Sequence, residues 1–397
     1  MTIYTHIRRS VTRHSNAILA ILILISVIYV YSRPSRYITT PSPRPQDDDS
    51  NMDMGQKLSE KNVEGNKCVE SQRISNAIPG ESIHHVTDTG TMTPVQLVKH
   101  MQTLKRHGIR TEYEEIINEM PSGSFSYSRN SINMYKNRYS NIFCLDDTRV
   151  KLKTSHDDLT SDYIHANYVD GFMQKNAFIA AQGPLPNTVN DFWRMVWQEN
   201  VFVIVMTTRT EERGLIKCSQ YWPKTLQDSL KFGDIIVTNI KVDKKKDYIV
   251  TSLLLKDTKV GWCRQVAHFQ FTGWPDFGVP ESAKSVLQFH SEIRQYQKEA
   301  VAFMGSNWTG PEGGPPILVH CSAGIGRTGT LCAIDITLAR LEVTQKLNIY
   351  DTVRKMRTQR AFTVQTLDQY EFIHFAVIES LQKQGKLATI DWSNYRL

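Results

Sequence analysis

The chain has 397 residues with 40% hydrophobic side chains, 21 Gly, 15 Pro and six Cys. That composition excludes collagen-like, coiled-coil and disulfide-scaffold classes and leaves room for one large domain or two smaller ones. The formal net charge of +7 sits at the start: residues 1–45 hold six Arg and no acid, so the remaining 352 carry 41 basic against 40 acidic groups. A nearly neutral body argues against nucleic acid as a partner, and the run Lys241, Lys244, Lys245 and Lys246 reads as a solvated turn because nothing extends it into a stripe.

Residues 1–16 form a basic N-terminal segment, and 17–31 (AILAILILISVIYVY) are apolar except for Ser26, with Arg8, Arg9 and Arg13 before and Arg33 and Arg36 after. Fifteen helical residues span about 22 Å against about 30 Å of hydrocarbon, and snorkelling arginines make up part of the difference. The segment reads as an N-terminal hydrophobic helix that anchors a single-pass membrane protein. A cleavable signal peptide, which would make the product secreted or lumenal, and a buried core helix are the alternatives.

Residues 32–92 are rich in Ser, Pro, Thr, Asn and Asp, without apolar period, and read as a disordered linker or stalk. Order is expected from Thr93, where Thr93 and Pro94 supply an N-cap and an N1 proline for Val95, Leu97, Val98, Met101 and Leu104 at helical spacing. Gly108 predicts the end of that helix, and 112–119 a second one. Strands are expected at 163–169, 178–181, 201–207, 235–242, 248–255, 265–271 and 317–320. Helices are expected at 283–298, 329–342, 349–357 and 367–384. The order implies an α/β fold, a twisted mixed sheet flanked by helices in one domain over 93–385, with 386–397 as a C-terminal tail. No Cys or His cluster has metal-ligand spacing, and His84 and His85 fall in the linker.

The stretch 315–330, PPILVHCSAGIGRTGT, carries the chemistry. An apolar strand ends at His320, a glycine-rich turn follows, and a helix starts after Arg327. Successive backbone N–H groups and a helix N-terminus make an anion cradle, which favours the thiolate of a cysteine at its mouth. Six residues on, the planar fork of Arg327 can hold two phosphoryl oxygens. Cys321 as nucleophile and Arg327 as clamp point to phosphoryl transfer through a cysteinyl-phosphate, needing no metal or cofactor. Gly324, Gly326 and Gly329 also spell GxGxxG, but Arg327 stands where a backbone must approach a pyrophosphate, and no acidic residue ends a second strand some twenty residues on.

The string 320–329, HCSAGIGRTG, resembles the signature loop of the protein-tyrosine phosphatases. Further motifs follow in that family's order: Asn137-Arg138-Tyr139, the run 162–167 (DYIHAN), Gln182-Gly183-Pro184, Asp191-Phe192-Trp193, the run 220–223 (QYWP), Trp274-Pro275-Asp276, and Gln365-Thr366 with Gln369-Tyr370. They cover 94 to about 384. Within the non-receptor branch the run from Lys136 and the string 357–366 look closest to the MEG2-like phosphatases, without their lipid-binding Sec14-like domain.

The resemblance implies a role for each matching position. Asp276 is the acid that protonates the leaving tyrosyl oxygen and then the base on water, with Phe277 beside it on the substrate side. Gln365 positions that water, with Gln369 assisting, and Thr328 helps the thiolate leave. The cradle of Ser322, Ala323, Gly324, Ile325 and Gly326 binds the phosphoryl group. Glu212 orients Arg327, and Lys217 meets the acid loop. Tyr139 walls a cleft deep enough to select phosphotyrosyl proteins over phosphoserine, while Gln182 and His320 buttress the loop. Two positions depart from many relatives: Asn141 replaces an aspartate that holds the substrate backbone, and Phe362 replaces a glycine and narrows the entrance. A phosphotyrosine-binding pseudophosphatase and a dual-specificity or lipid phosphatase are the rival readings. The reducing environment that Cys321 needs places the catalytic domain on the cytosolic side.

Overall fold

Every strand expected from the sequence forms, and three of them, 163–169, 178–181 and 317–320, match to the residue because their side chains are buried on both faces. The computed structural model describes residues 90–154, 162–275 and 278–395. Its strands are β1 (Arg149–Lys151), β2 (Tyr163–Val169), β3 (Phe178–Ala181), β4 (Val203–Met206), β5 (Glu211–Glu212), β6 (Leu215–Ile216), β7 (Ser229–Phe232), β8 (Ile235–Lys244), β9 (Tyr248–Asp257), β10 (Cys263–Phe271) and β11 (Ile317–His320). The helices are α1 (Pro94–Asn118), α2 (Ser126–Arg129), α3 (Ser131–Met134), α4 (Val189–Gln198), α5 (Lys284–Met304), α6 (Gly326–Thr344), α7 (Ile349–Gln359) and α8 (Leu367–Lys383).

Nine strands form one sheet in the order β1-β2-β3-β11-β4-β10-β9-β8-β7, and β5 pairs with β6 in a separate hairpin. The centre is parallel: β11 lies between β3 and β4, with Leu318 opposite both Ile179 and Ile204, and β10 runs parallel to β4. Both flanks are antiparallel. Alternation along β11 sends Ile317 and Val319 into the core beneath α1, α5, α6 and α8, and Leu318 into a second core under α4, beside Phe192, Trp193 and Tyr221. That two-sided burial explains the continuous apolar runs of the central strands.

Two local readings change. The first helix does not end at Gly108; two helical pieces meet at Lys105, whose φ of 53° breaks the hydrogen-bond ladder, and the second piece runs on to Asn118. The N-terminal piece begins as expected, with a capping box between Thr93 and Gln96. The segment after α8 lies against the domain: Tyr395 is buried, its hydroxyl donates to Glu371, and its carbonyl accepts from Arg106 N.

Helices α5 and α6 are joined by a buried ion cluster in which Asp335 meets Arg294 and, at 2.7 Å, His290. Among the described residues no helix is long and apolar enough to cross a membrane. The two longest, α1 and α5, are amphipathic, α5 burying Val286, Phe289 and Ile293 while carrying Glu292, Lys298 and Glu299, and α6 carries Arg327, Asp335, Arg340 and Glu342. The apolar segment 17–31 and the linker, apart from residues 90–92, lie outside the described residues, as do Asp276 and Phe277.

Candidate active site

The site is built where the parallel strands end. β11 runs into the turn 321–325, and α6 rises from it, so Cys321 stands at the carboxyl edge of one of the sheet's inner parallel strands. Gly324 adopts φ +72°, and a Cβ there would stand 2.0 Å from Ala181 O, so only glycine lets the turn pass this close to β3.

Five successive carbonyls of the turn are engaged away from its mouth. Cys321 O accepts from His320 Nδ1 at 3.1 Å, and Ser322 O from Gly183 N at 2.8 Å. Ala323 O and Gly324 O accept from Arg360 at 3.0 and 3.2 Å. Ile325 O accepts from Gly329 N and Val364 N at 3.1 and 3.0 Å. In a planar trans peptide the N–H points opposite to the C=O. Anchoring these carbonyls behind the turn therefore directs the N–H groups of Ser322, Ala323, Gly324, Ile325 and Gly326 to the other side. Gly324 N donates to Cys321 Sγ at 3.2 Å, a contact that stabilises negative charge on sulfur.

On the front of the cradle Arg327 forms a two-pronged pair with Glu212, at 2.6 and 3.0 Å, and also donates to Thr207 O and Pro275 O. Burial pushes the Glu212 carboxyl up, but hydrogen bonds from Arg327, Thr208 and Arg209 N outweigh it and leave it below its ordinary value. The guanidinium is thus held in one plane by a carboxylate whose charged form is favoured.

At the rear, Arg360 is fully buried, and its hydrogen-bond partners are neutral: the two turn carbonyls and Asn167 Oδ1 at 2.8 Å. His320 extends a chain of buried bonds from Cys321 O through Tyr221 OH, 2.6 Å from His320 Nε2 and 2.7 Å from His268 Nε2. Burial pulls His320 down to about 4 and His268 to about 3, so both are neutral near pH 7. The tautomers follow from the network. His320 donates from Nδ1 and accepts the Tyr221 hydroxyl at Nε2, Tyr221 accepts from His268 Nε2, and His268 Nδ1 is left a bare acceptor with no partner.

The other sequence-derived residues fall around this core. The Ser322 hydroxyl donates to Lys217 O at 2.9 Å and lies 2.7 Å from Tyr139 OH, so Tyr139 stands at the cradle's edge and Lys217 enters through its backbone. Gln182 accepts from Arg138 N and donates to Lys136 O, tying the Tyr139 segment to β3, while Arg138 grips Gly183 O and Pro184 O. Thr328 is buried in the first turn of α6 with its hydroxyl unpartnered. Gln365 and Gln369 meet over the start of α6: Gln369 Oε1 accepts from Gln365 N at 2.9 Å, and both side-chain amides crowd the face of Gly326. Asn141 is exposed two residues beyond Tyr139, and Phe362 is half-buried at φ +64°. Arg360, Arg138, Asn167 and Tyr221 were not singled out from the sequence as site residues. Arg360 lies inside the 357–366 string, yet nothing in its neighbours distinguishes a buried arginine from a surface one.

The sequence profile described as Protein-tyrosine phosphatase matches residues 133–379. The chain belongs to the protein-tyrosine phosphatase family. It is 47% identical over 313 residues to human tyrosine-protein phosphatase non-receptor type 9, covering 79% of this chain and 53% of that protein. The mouse protein of the same name is 48% identical over 309 residues, 78% of this chain and 52% of that one. Chicken receptor-type tyrosine-protein phosphatase S is 40% identical over 291 residues, 72% of this chain and 18% of that protein. The chain spans about half the length of the non-receptor relatives it matches.

These findings correct the expectation of a single-pass membrane protein with a cytosol-facing domain. The relatives at 47–48% identity are non-receptor phosphatases, and no helix among the described residues is long and apolar enough to span a bilayer.

Proposed function

We propose that the protein hydrolyses phosphotyrosine in proteins through a cysteinyl-phosphate, using one catalytic domain over residues 93–385. The observation that carries this reading is the set of five rear-anchored carbonyls, which turns the N–H side of the 321–326 backbone toward Cys321 Sγ and makes a cradle for a tetrahedral dianion. The comparisons support the substrate class.

In the first step Cys321 Sγ attacks phosphorus, the bond to the tyrosyl oxygen breaks, and Asp276 gives that oxygen its proton. The Arg327 fork holds two equatorial oxygens while Glu212 keeps it planar to them. In the second step water attacks phosphorus, the P–S bond breaks, and the water's proton goes to the Asp276 carboxylate. Gln365 and Gln369 orient that water, and the spare hydroxyl of Thr328 stabilises the departing thiolate. Tyr139 sets the cleft depth that favours an aryl phosphate, Phe277 packs on the aryl ring, Lys217 meets the acid loop, and Asn141 and Phe362 shape the entrance for the flanking peptide.

Cys321→Ser is expected to lower turnover of a phosphotyrosyl peptide by about 10⁵-fold while binding of the same peptide persists. Steady-state assay and titration of the variant check both halves. Unchanged turnover would overturn the covalent mechanism, and an idle phosphotyrosine-binding domain would show no turnover in the parent chain either.

A further inference from the structure

The connection from α7 to α8, which carries Gln365, passes through two residues in the left-handed region: Phe362 at φ +64° and Val364 at φ +58°. Neither a bulky aromatic nor a β-branched residue adopts that conformation unless its surroundings impose it. Four of the restraints, counting the two bonds to Arg360 O as one, are local to the site. Thr363 N and Oγ1 donate to Arg360 O, Thr363 O accepts from Arg357, Val364 N donates to Ile325 O, and Gln365 N donates to Gln369 Oε1.

The fifth comes from the far end of the sequence. Tyr113 on α1 donates its hydroxyl to Val364 O at 3.1 Å. The ring is buried and packs on Tyr370 with centroids 5.5 Å apart, and burial pushes the hydroxyl up to about 12, so it remains a donor at any working pH. Val364 O belongs to the peptide that leads directly into Gln365. Fixing its direction fixes the opposite N–H, which is the group that Gln369 grips.

We propose that Tyr113 is a positioning residue for the second chemical step: its hydroxyl holds the strained 362–364 backbone in the one arrangement that presents Gln365 to the attacking water. This inference rests on the phosphatase reading. Attack of Cys321 on phosphorus, with loss of the aryl oxygen, needs the cradle and Arg327. Only the later attack of water, with breakage of P–S, needs Gln365 in place. A defect at Tyr113 therefore falls on one step and spares the other.

The test is rapid-mixing and steady-state kinetics of the full chain and its Tyr113→Phe variant on para-nitrophenyl phosphate. The expected result is a kcat about tenfold lower with kcat/KM unchanged, so that KM falls in step, and a burst of nitrophenol approaching one per site. A purely structural role predicts equal losses in kcat and kcat/KM together with a lower melting temperature; that result, or no change in either constant, overturns the proposal. Phe362→Gly supplies a residue that takes positive φ freely, so adding it to Tyr113→Phe should restore much of the lost kcat, and failure to do so removes the strain argument. If the parent chain shows neither burst nor turnover, the phosphatase reading itself falls; normal parent turnover with an unaffected variant sinks this inference alone.

Discussion

The front and rear of the catalytic turn hold arginines under opposite rules. Arg327 at the front is partly exposed and locked to a carboxylate, Glu212. Arg360 at the rear is completely buried, yet it bonds to neutral oxygens of Ala323, Gly324 and Asn167. In the proposed mechanism the front accepts a doubly charged ligand and then releases it, and its cation is oriented by the buried carboxylate of Glu212. The rear never meets the ligand, and there a guanidinium serves as a rigid bracket for two carbonyls. One side chain type thus supplies charge geometry in one place and backbone orientation in the other.

The largest expected effect separates geometry from charge at the front. Arg327→Lys keeps the charge but loses the fork and leaves Glu212 with a single point partner, so kcat/KM on a phosphotyrosyl peptide should fall about 10³-fold. A loss under tenfold in a steady-state assay would mean that charge alone suffices. At the rear, Arg360→Met removes the donors of two buried carbonyls, and the expected cost is about 2–4 kcal/mol of folding stability, read by urea unfolding. Stability within error of the parent would show that the turn holds its own shape.

The smallest expected effect concerns the neutral rear histidines. Their folded values lie near 4 for His320 and 3 for His268, below the ordinary 6.5. The unfolded chain therefore binds more protons than the folded one across that window, and stability falls as pH drops from about 6.5 toward 4. His268→Gln should make that fall shallower by urea unfolding midpoints. An identical slope would mean that the chain from His268 through Tyr221 to His320 does not couple protonation to folding.

The central strands and the cradle were legible in the sequence because both obey local rules: two-sided burial gives unbroken apolar runs, and a strand–glycine turn–helix needs its residues in one stretch. Edge elements were not. β1 and β7 have three and four residues with exposed positions, and α4 contains Val189, Phe192 and Trp193, which favour strands when read alone. The pairing of Arg327 with Glu212 became visible only through the family resemblance, since no local pattern marks it. Tyr113 stayed hidden because its partner is a backbone carbonyl, and Arg360 because two of its three are, and carbonyls are the same at every position of the chain.

The placement of β11 also bears on how the chain is made. β3 and β4 emerge from the ribosome long before residues 317–320, which will sit between them. Until that strand arrives, the facing edges of β3 and β4 carry unpaired N–H and C=O groups across a gap one strand wide. Unpaired edges of this kind are templates for strand addition until β11 pairs with both. Insertion of β11 closes the gap and sets down Cys321 in the same event, so the hazard ends when the nucleophile is placed.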